Sequence, residues 1–208
     1  MTRLDIDKVT AGFPHPTIDP ILGISTYITI KKLHVQLNTN ATSIFTILGD
    51  GQHGLLQFTV SGAQYNSVSA VPFVAPANPG ATPTYLTNAS STRIKQADNA
   101  HDKTYRLFKE YTIVDKVLKQ LLLVAIEVKY YRVLRNNLIG YANVATRDLI
   151  KHIDTSYSNI ASTQLADNDV KLRSTYDYNQ LIESVYEQID NAITLPHLLT
   201  VSTQTNKL

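Results

Sequence analysis

The sequence predicts a mainly α-helical bundle, and three observations carry that expectation. Leu107, Phe108, Tyr111, Val114, Leu118, Leu121, Leu122 and Ala125 recur at three-four spacing over about five turns. Shorter runs of the same period follow, separated by brief polar breaks, as in a bundle of antiparallel helices. Hydrophobic residues make up 43% of 208 residues, enough to bury a core.

Taken in order, residues 1–25 read as an extended, mobile N-terminal arm. Phe13-Pro14-His15-Pro16 and Asp19-Pro20 disfavour helix, because each proline pushes the preceding residue toward extended backbone. Residues 26–70 form a helix plus a glycine-turn region. Ser25 or Thr26 caps a helix whose apolar stripe is Tyr27, Ile30, Leu33, His34 and Leu37, fading near Asn38 to Thr42. Ile44–Leu48 and Leu55–Val60 then flank Gly49-Asp50-Gly51-Gln52-His53-Gly54, either as a short β-hairpin near residues 44–60 or as helix ends around a glycine loop. Ser61 caps a short helix through Tyr65 and Val68.

Residues 71–97, with Pro72, Pro76, Pro79, Gly80 and Pro83, make a linker expected on the surface or poorly ordered. Residues 98–195 are the helical core. After the long helix comes a short one, Lys129 to Asn137, ended by Gly140. Asn143 caps a third, with Ala145, Leu149, Ile153 and Tyr157 on one face. Ser162 caps a fourth carrying Leu165 and Leu172. A fifth carries Leu181, Ile182, Val185, Ile189 and Ile193 until Pro196 stops it, leaving a flexible tail at 196–208. Leu118, Leu121, Leu122, Leu149 and Ile153 are the expected core, and Leu121→Asp is expected to abolish folding by burying a charge.

Charge is sparse and segregated. Only 17% of residues are charged, against roughly 25% in ordinary domains. A surface that spares charge suits a protein covered by copies of itself. Between Leu33 and Thr92 the single charged residue is Asp50. Arg93 to Lys151 holds twelve Lys/Arg against six Asp/Glu, whereas His152 to Leu208 holds three against seven. Pairing of these two regions, within or between subunits, ranks ahead of RNA binding. The RNA reading rests on Lys103, Arg106, Lys109, Arg132 and Arg135, interleaved with Tyr105, Tyr111, Tyr130, Tyr131, Tyr141 and Tyr157. For those tyrosines the order is core first, interface second, RNA third.

Cysteine is absent, which removes disulfides, zinc knuckles and thiolate nucleophiles. Met1 to Thr10 offers no apolar signal region, and the longest apolar run, Leu121 to Ile126, is too short to span a bilayer. A cytoplasmic protein with no membrane partner is expected, and the sequons at Asn40 and Asn88 are chance matches.

Gly49-x-Gly51-x-x-Gly54 matches a dinucleotide fingerprint as text, but no Asp or Glu lies between Asp50 and Asp98 to hold a ribose. It reads as a glycine turn. The six histidines stand apart in sequence, with no His-x-x-x-His pair, and no Gly-x-Ser-x-Gly elbow occurs. Glu183 and Glu187 look like a solvated helical pair. The expectation is a non-enzymatic chain without cofactor, metal or small-molecule substrate.

Several stretches resemble Gag of copia-type retrotransposons from algal and protist genomes. They are Phe13-Pro14-His15-Pro16-Thr17, Thr26-Tyr27, Leu33-His34 with Leu37-Asn38-Thr39-Asn40-Ala41, His53-Gly54-Leu55-Leu56 and Tyr65. Pro72-Phe73-Val74, Pro76-Ala77-Asn78-Pro79-Gly80, Arg106-Leu107-Phe108, Leu134-Arg135-Asn136, Leu149-Ile150 with Ile153 and Tyr157, and Tyr176-Asp177 before Leu181-Ile182 and Gln188-Ile189 continue it. The resemblance implies a helical capsid domain that self-associates into a shell around the element's RNA. Its family commonly carries a Cys/His zinc knuckle, which this chain lacks, and further helices would follow Pro196. The expectation is therefore a truncated copy, a fragment or a host-retained derivative. The alternative is a nucleic-acid-binding or protein-interaction module derived from Gag.

Overall fold

The computed structural model describes residues 3–157 apart from Ile24 and Thr87, and beyond them only Val170, Glu183, Tyr186 and Ile189. The chain divides into two units, Met1–Tyr157 and Ser158–Leu208. In the second, the four described positions are helical and exposed; the expected helices capped by Ser162 and running through Leu181 to Ile193 otherwise lie outside the described residues, as does the tail.

The first unit is mainly helical: α1 (Arg3–Gly12), α2 (Tyr27–Thr42), α3 (Gly62–Val68), α4 (Ser91–Ala125) and α5 (Thr146–Tyr157). Single 3-10 turns occupy Leu56–Phe58, Val128–Tyr130 and Arg132–Leu134. No described helix is long and apolar enough to cross a membrane.

Helix α4 organises the rest. Its 35 residues reach about 50 Å at 1.5 Å per residue. Ser90 caps it by accepting the Arg93 amide, so it begins at Ser91, seven residues before the expected start; nothing in Ser91–Ala97 breaks a helix. The core forms on its C-terminal half, where Ile113, Val114, Val117, Leu118, Leu122 and Ala125 are buried. Against them lie Ile30, Leu33, Leu37 and Ala41 of α2, and Leu149, Ile150 and Ile153 of α5. Helix α2 starts at a reciprocal cap: the Thr29 amide donates to Thr26 Oγ1 and the Thr26 amide to Thr29 Oγ1. Leu118, Leu122, Leu149 and Ile153 are buried, whereas Leu121 is half-buried at the core's edge. A charge at Leu121 can reach water, so the folding loss expected there belongs to Leu118 and Leu122.

Over its described residues the N-terminal arm packs on the core, and its first part is helical. The prolines act only from Pro14 onward, while Arg3–Gly12 has no breaker before Gly12 and lays Ile6 and Val9 against the core. Residues 13–25 then form a strap. Phe13, Ile18 and Ile21 are buried beneath it. Fully buried Asn40 holds the strap from α2, accepting the His15 amide at 2.8 Å and donating to the His15 carbonyl at 2.7 Å. Gln36 Oε1 accepts the Asp19 amide. At the far end the Ile21 amide donates to the Ala125 carbonyl at 2.7 Å, and the Gly23 amide to Glu127.

Residues 44–60 form turns and no hairpin. Gly49, Gly51 and Gly54 all take positive φ, which breaks any strand there. At Gly54 a Cβ would stand 2.7–2.8 Å from the carbonyl oxygens of Ala41, Thr42 and Ile44. At Gly49 it would meet the Tyr65 hydroxyl. The Pro-rich linker is shorter than expected and lies on α4, running antiparallel to it. Phe73 stacks on Tyr111, His101 Nε2 lies 3.4 Å from the Gly80 carbonyl, and Tyr85 donates to Asp98.

The expected helix at Lys129 to Asn137 is two 3-10 turns followed by a tight turn, in which Asn136 and Gly140 exchange backbone hydrogen bonds. Buried Tyr130 and Tyr131 drive this: the Tyr131 hydroxyl reaches back to the Leu123 carbonyl, folding the chain onto α4. Helix α5 begins three residues after Asn143, at Thr146, whose hydroxyl donates to Asp115 Oδ1 at 2.7 Å.

Asn40→Ala leaves both backbone groups of His15 without that partner and is expected to cost about 2–4 kcal/mol. Leu122→Ala should cost about 2–5 kcal/mol and Leu121→Ala clearly less. Urea melts of the three variants check both statements; equal losses at Leu121 and Leu122 would refute the placement of the core edge.

Candidate functional site

Among the described residues, clefts that present polar groups form where elements pack. One, about 440 Å³, lies between α5 and the start of α3. Arg147, Asp148, Lys151 and Asp154 face it from α5, opposite Thr59, Ser61 and Gln64. Ser61 and Gln64 spend their side chains on the α3 cap. Two cations and two carboxylates leave the cleft with no sign that selects an ionic ligand.

A second cleft of about 230 Å³ is lined by Phe58, Phe73, Tyr111, Asp115 and Arg147. Its rings pack on each other, with Phe58 and Tyr111 centroids 4.5 Å apart. Burial first, then the Asp115 carboxylate, raises the Tyr111 hydroxyl above its ordinary range. The third, about 300 Å³, runs between α1 and α4, with Val9 and Ile113 as apolar lining beside Lys8, Arg106, Lys109 and Glu110. Burial raises the Glu110 carboxyl.

The residues proposed for RNA do not meet as one patch. Lys103, Arg106 and Lys109 lie midway along α4, whereas exposed Arg132 and Arg135 follow its end. Helical rise alone separates Lys109 from Ala125 by about 24 Å. Nor do the tyrosines form a stacking platform: Tyr130 and Tyr131 are buried, while Tyr111, Tyr141 and Tyr157 pack against the core. Tyr105 is exposed, with its ring parallel to His101.

The histidines are dispersed, and no group of three or more His, Asp or Glu that could hold a metal occurs among the described residues. The glycine motif is the turn described above. There the Gln52 amide donates to Asp50, which holds that carboxyl below its ordinary range.

Sequence reasoning missed Gln36 and Asn40, whose i, i+4 spacing places two amides on the buried side of α2; polar residues beside Leu33 and Leu37 were the available signal. It also missed the Thr146–Asp115 bond, which joins residues 31 apart and leaves no local trace.

Between α2 and α5, His34 faces Asp154. Nε2 and Oδ1 are 3.2 Å apart yet misaligned, so the ring nitrogen lacks a hydrogen bond. Burial lowers the His34 pKa from 6.5, and Asp154 opposes that only in part. The neutral ring is therefore the one the fold prefers. Its stability is fully present above pH 6.5 and is lost as pH falls toward the lower folded value, since the unfolded ring binds the proton first. Urea midpoints between neutral and mildly acid pH should fall more steeply for the wild type than for His34→Gln; parallel profiles would refute it.

Comparison of the chain with protein-family models, curated proteins and solved structures gives no match.

Proposed function

We propose that this chain is a structural protein that acts by self-association, in the manner of a retroelement capsid subunit, and not by catalysis. The observation that carries this reading is the surface of residues 33–92. That stretch has one charged residue, Asp50, yet it exposes Val35, Phe45, Ile47, Val68, Val71, Val74 and Leu86. Phe45 is 82% exposed, Leu86 81% and Val74 73%. Large apolar side chains on an uncharged surface favour contact with another copy, because association removes them from water without facing like charges. The resemblance of most of residues 13–193 to copia-type Gag adds to this reading. A cytoplasmic shell around the element's RNA is the form of assembly the resemblance implies.

A second reading is nucleic-acid binding, favoured by Lys8, Arg106 and Lys109 lining one groove. Phosphate contacts would make RNA affinity fall steeply with salt.

Sedimentation velocity of the full chain across concentration is expected to show discrete oligomers or particles. Phe45→Asp with Val74→Asp should shift that equilibrium toward monomer while leaving the urea midpoint unchanged, because both side chains are exposed. A wild-type chain that stays monomeric at high concentration would refute the proposal.

A further inference from the structure

The turn after α4 sets exposed aliphatic side chains beside arginines. Val128, Val133, Leu138 and Ile139 are exposed there, Leu138 at 94%. Leu22 of the strap joins them, since neighbouring Gly23 accepts from Lys129 Nζ at 3.0 Å and donates to Glu127. The segment is held in shape from within. Tyr130 and Tyr131 are its buried anchors, and the Asn136–Gly140 hydrogen bonds close the turn that carries Leu138 and Ile139.

Its charge is one-sided. Glu127 pairs with Lys129 at 2.8 Å, and no carboxylate follows until Asp148. Arg132 and Arg135 lie exposed between the apolar side chains. None of these residues lines the three clefts described above. The apolar side chains stand open to solvent.

We propose that this turn is a contact site for a lipid surface bearing anionic headgroups. Projecting aliphatic side chains can enter the headgroup–acyl boundary, and guanidinium groups beside them pair with phosphate and carboxylate headgroups. RNA fits less well. Aliphatic side chains offer no ring for a base to stack on, and the local tyrosines are buried. A twofold contact between two copies of this turn also fits less well, because it would set Arg132 and Arg135 against their own equivalents. Surface contact needs no spanning segment. It goes beyond the self-association reading.

The test is flotation of the full chain with phosphatidylcholine vesicles, with and without about one third phosphatidylserine. Flotation separates lipid binding from self-assembly, since protein particles alone do not rise. The wild type should float with the anionic vesicles only, and less as salt increases. Val133→Asp with Leu138→Asp should abolish flotation, as should Arg132→Glu with Arg135→Glu, with the urea midpoint and the oligomeric state of each variant unchanged. Absence of wild-type flotation, or variants that float like wild type, would overturn the proposal. So would arginine variants that lose RNA retention while flotation persists, or turn variants that change only the oligomeric state.

Discussion

The first unit depends on burying the C-terminal half of one long helix. Val114, Val117, Leu118 and Leu122 of α4 are almost wholly shielded from water, and no single neighbour covers them. Helix α2 and helix α5 each bring an apolar stripe, and the strap adds Phe13, Ile18 and Ile21. Each element holds its place because α4 presents the surface it needs. The N-terminal part of α4 is different: it carries most of the helix's charge, is capped by Ser90, and serves as a rail for the Pro-rich linker.

Polar groups inside this core position elements more than they add stability. Asn40 sits where an apolar residue would suit the α2 stripe, and it forms a two-bond bridge to the His15 backbone instead. A buried amide of this kind fixes register, because shifting the strap by one residue would leave the amide and the backbone unpaired. Thr146 with Asp115 does the same for α5 on α4. The half-buried His34 ring lacks that provision, so acid should be felt at the α2–α5 contact.

How much was legible follows from how local each signal is. The periodicity of Leu107 to Ala125 and the caps at Thr26 and Ser61 are short-range patterns, and helices stand there. The strap was not legible, because its partners at Asn40, Ala125 and Tyr130 are remote in sequence. Proline alone was read as mobility, although proline also lowers the entropy lost when an extended segment docks. The turns after α4 mimic a helix in spacing; what decides against one is the bond from the Tyr131 hydroxyl back to the Leu123 carbonyl, which folds the chain onto α4. The exposed turn at Leu138 was likewise hidden, since apolar residues in sequence carry no mark of being outside.

The strap also imposes an order on how the molecule is made. Gly23 and Ser25 bond to residues 104 and 105 positions further along, in Glu127 and Tyr130. On a ribosome, the strap emerges long before Glu127 and Tyr130 and must wait for the end of α4 before these bonds can form. Helix α2 and the glycine turns can form earlier, whereas the N-terminal segment stays undocked until most of the unit has been synthesised. The apolar end of α4 is therefore made late and covered by a segment synthesised well before it.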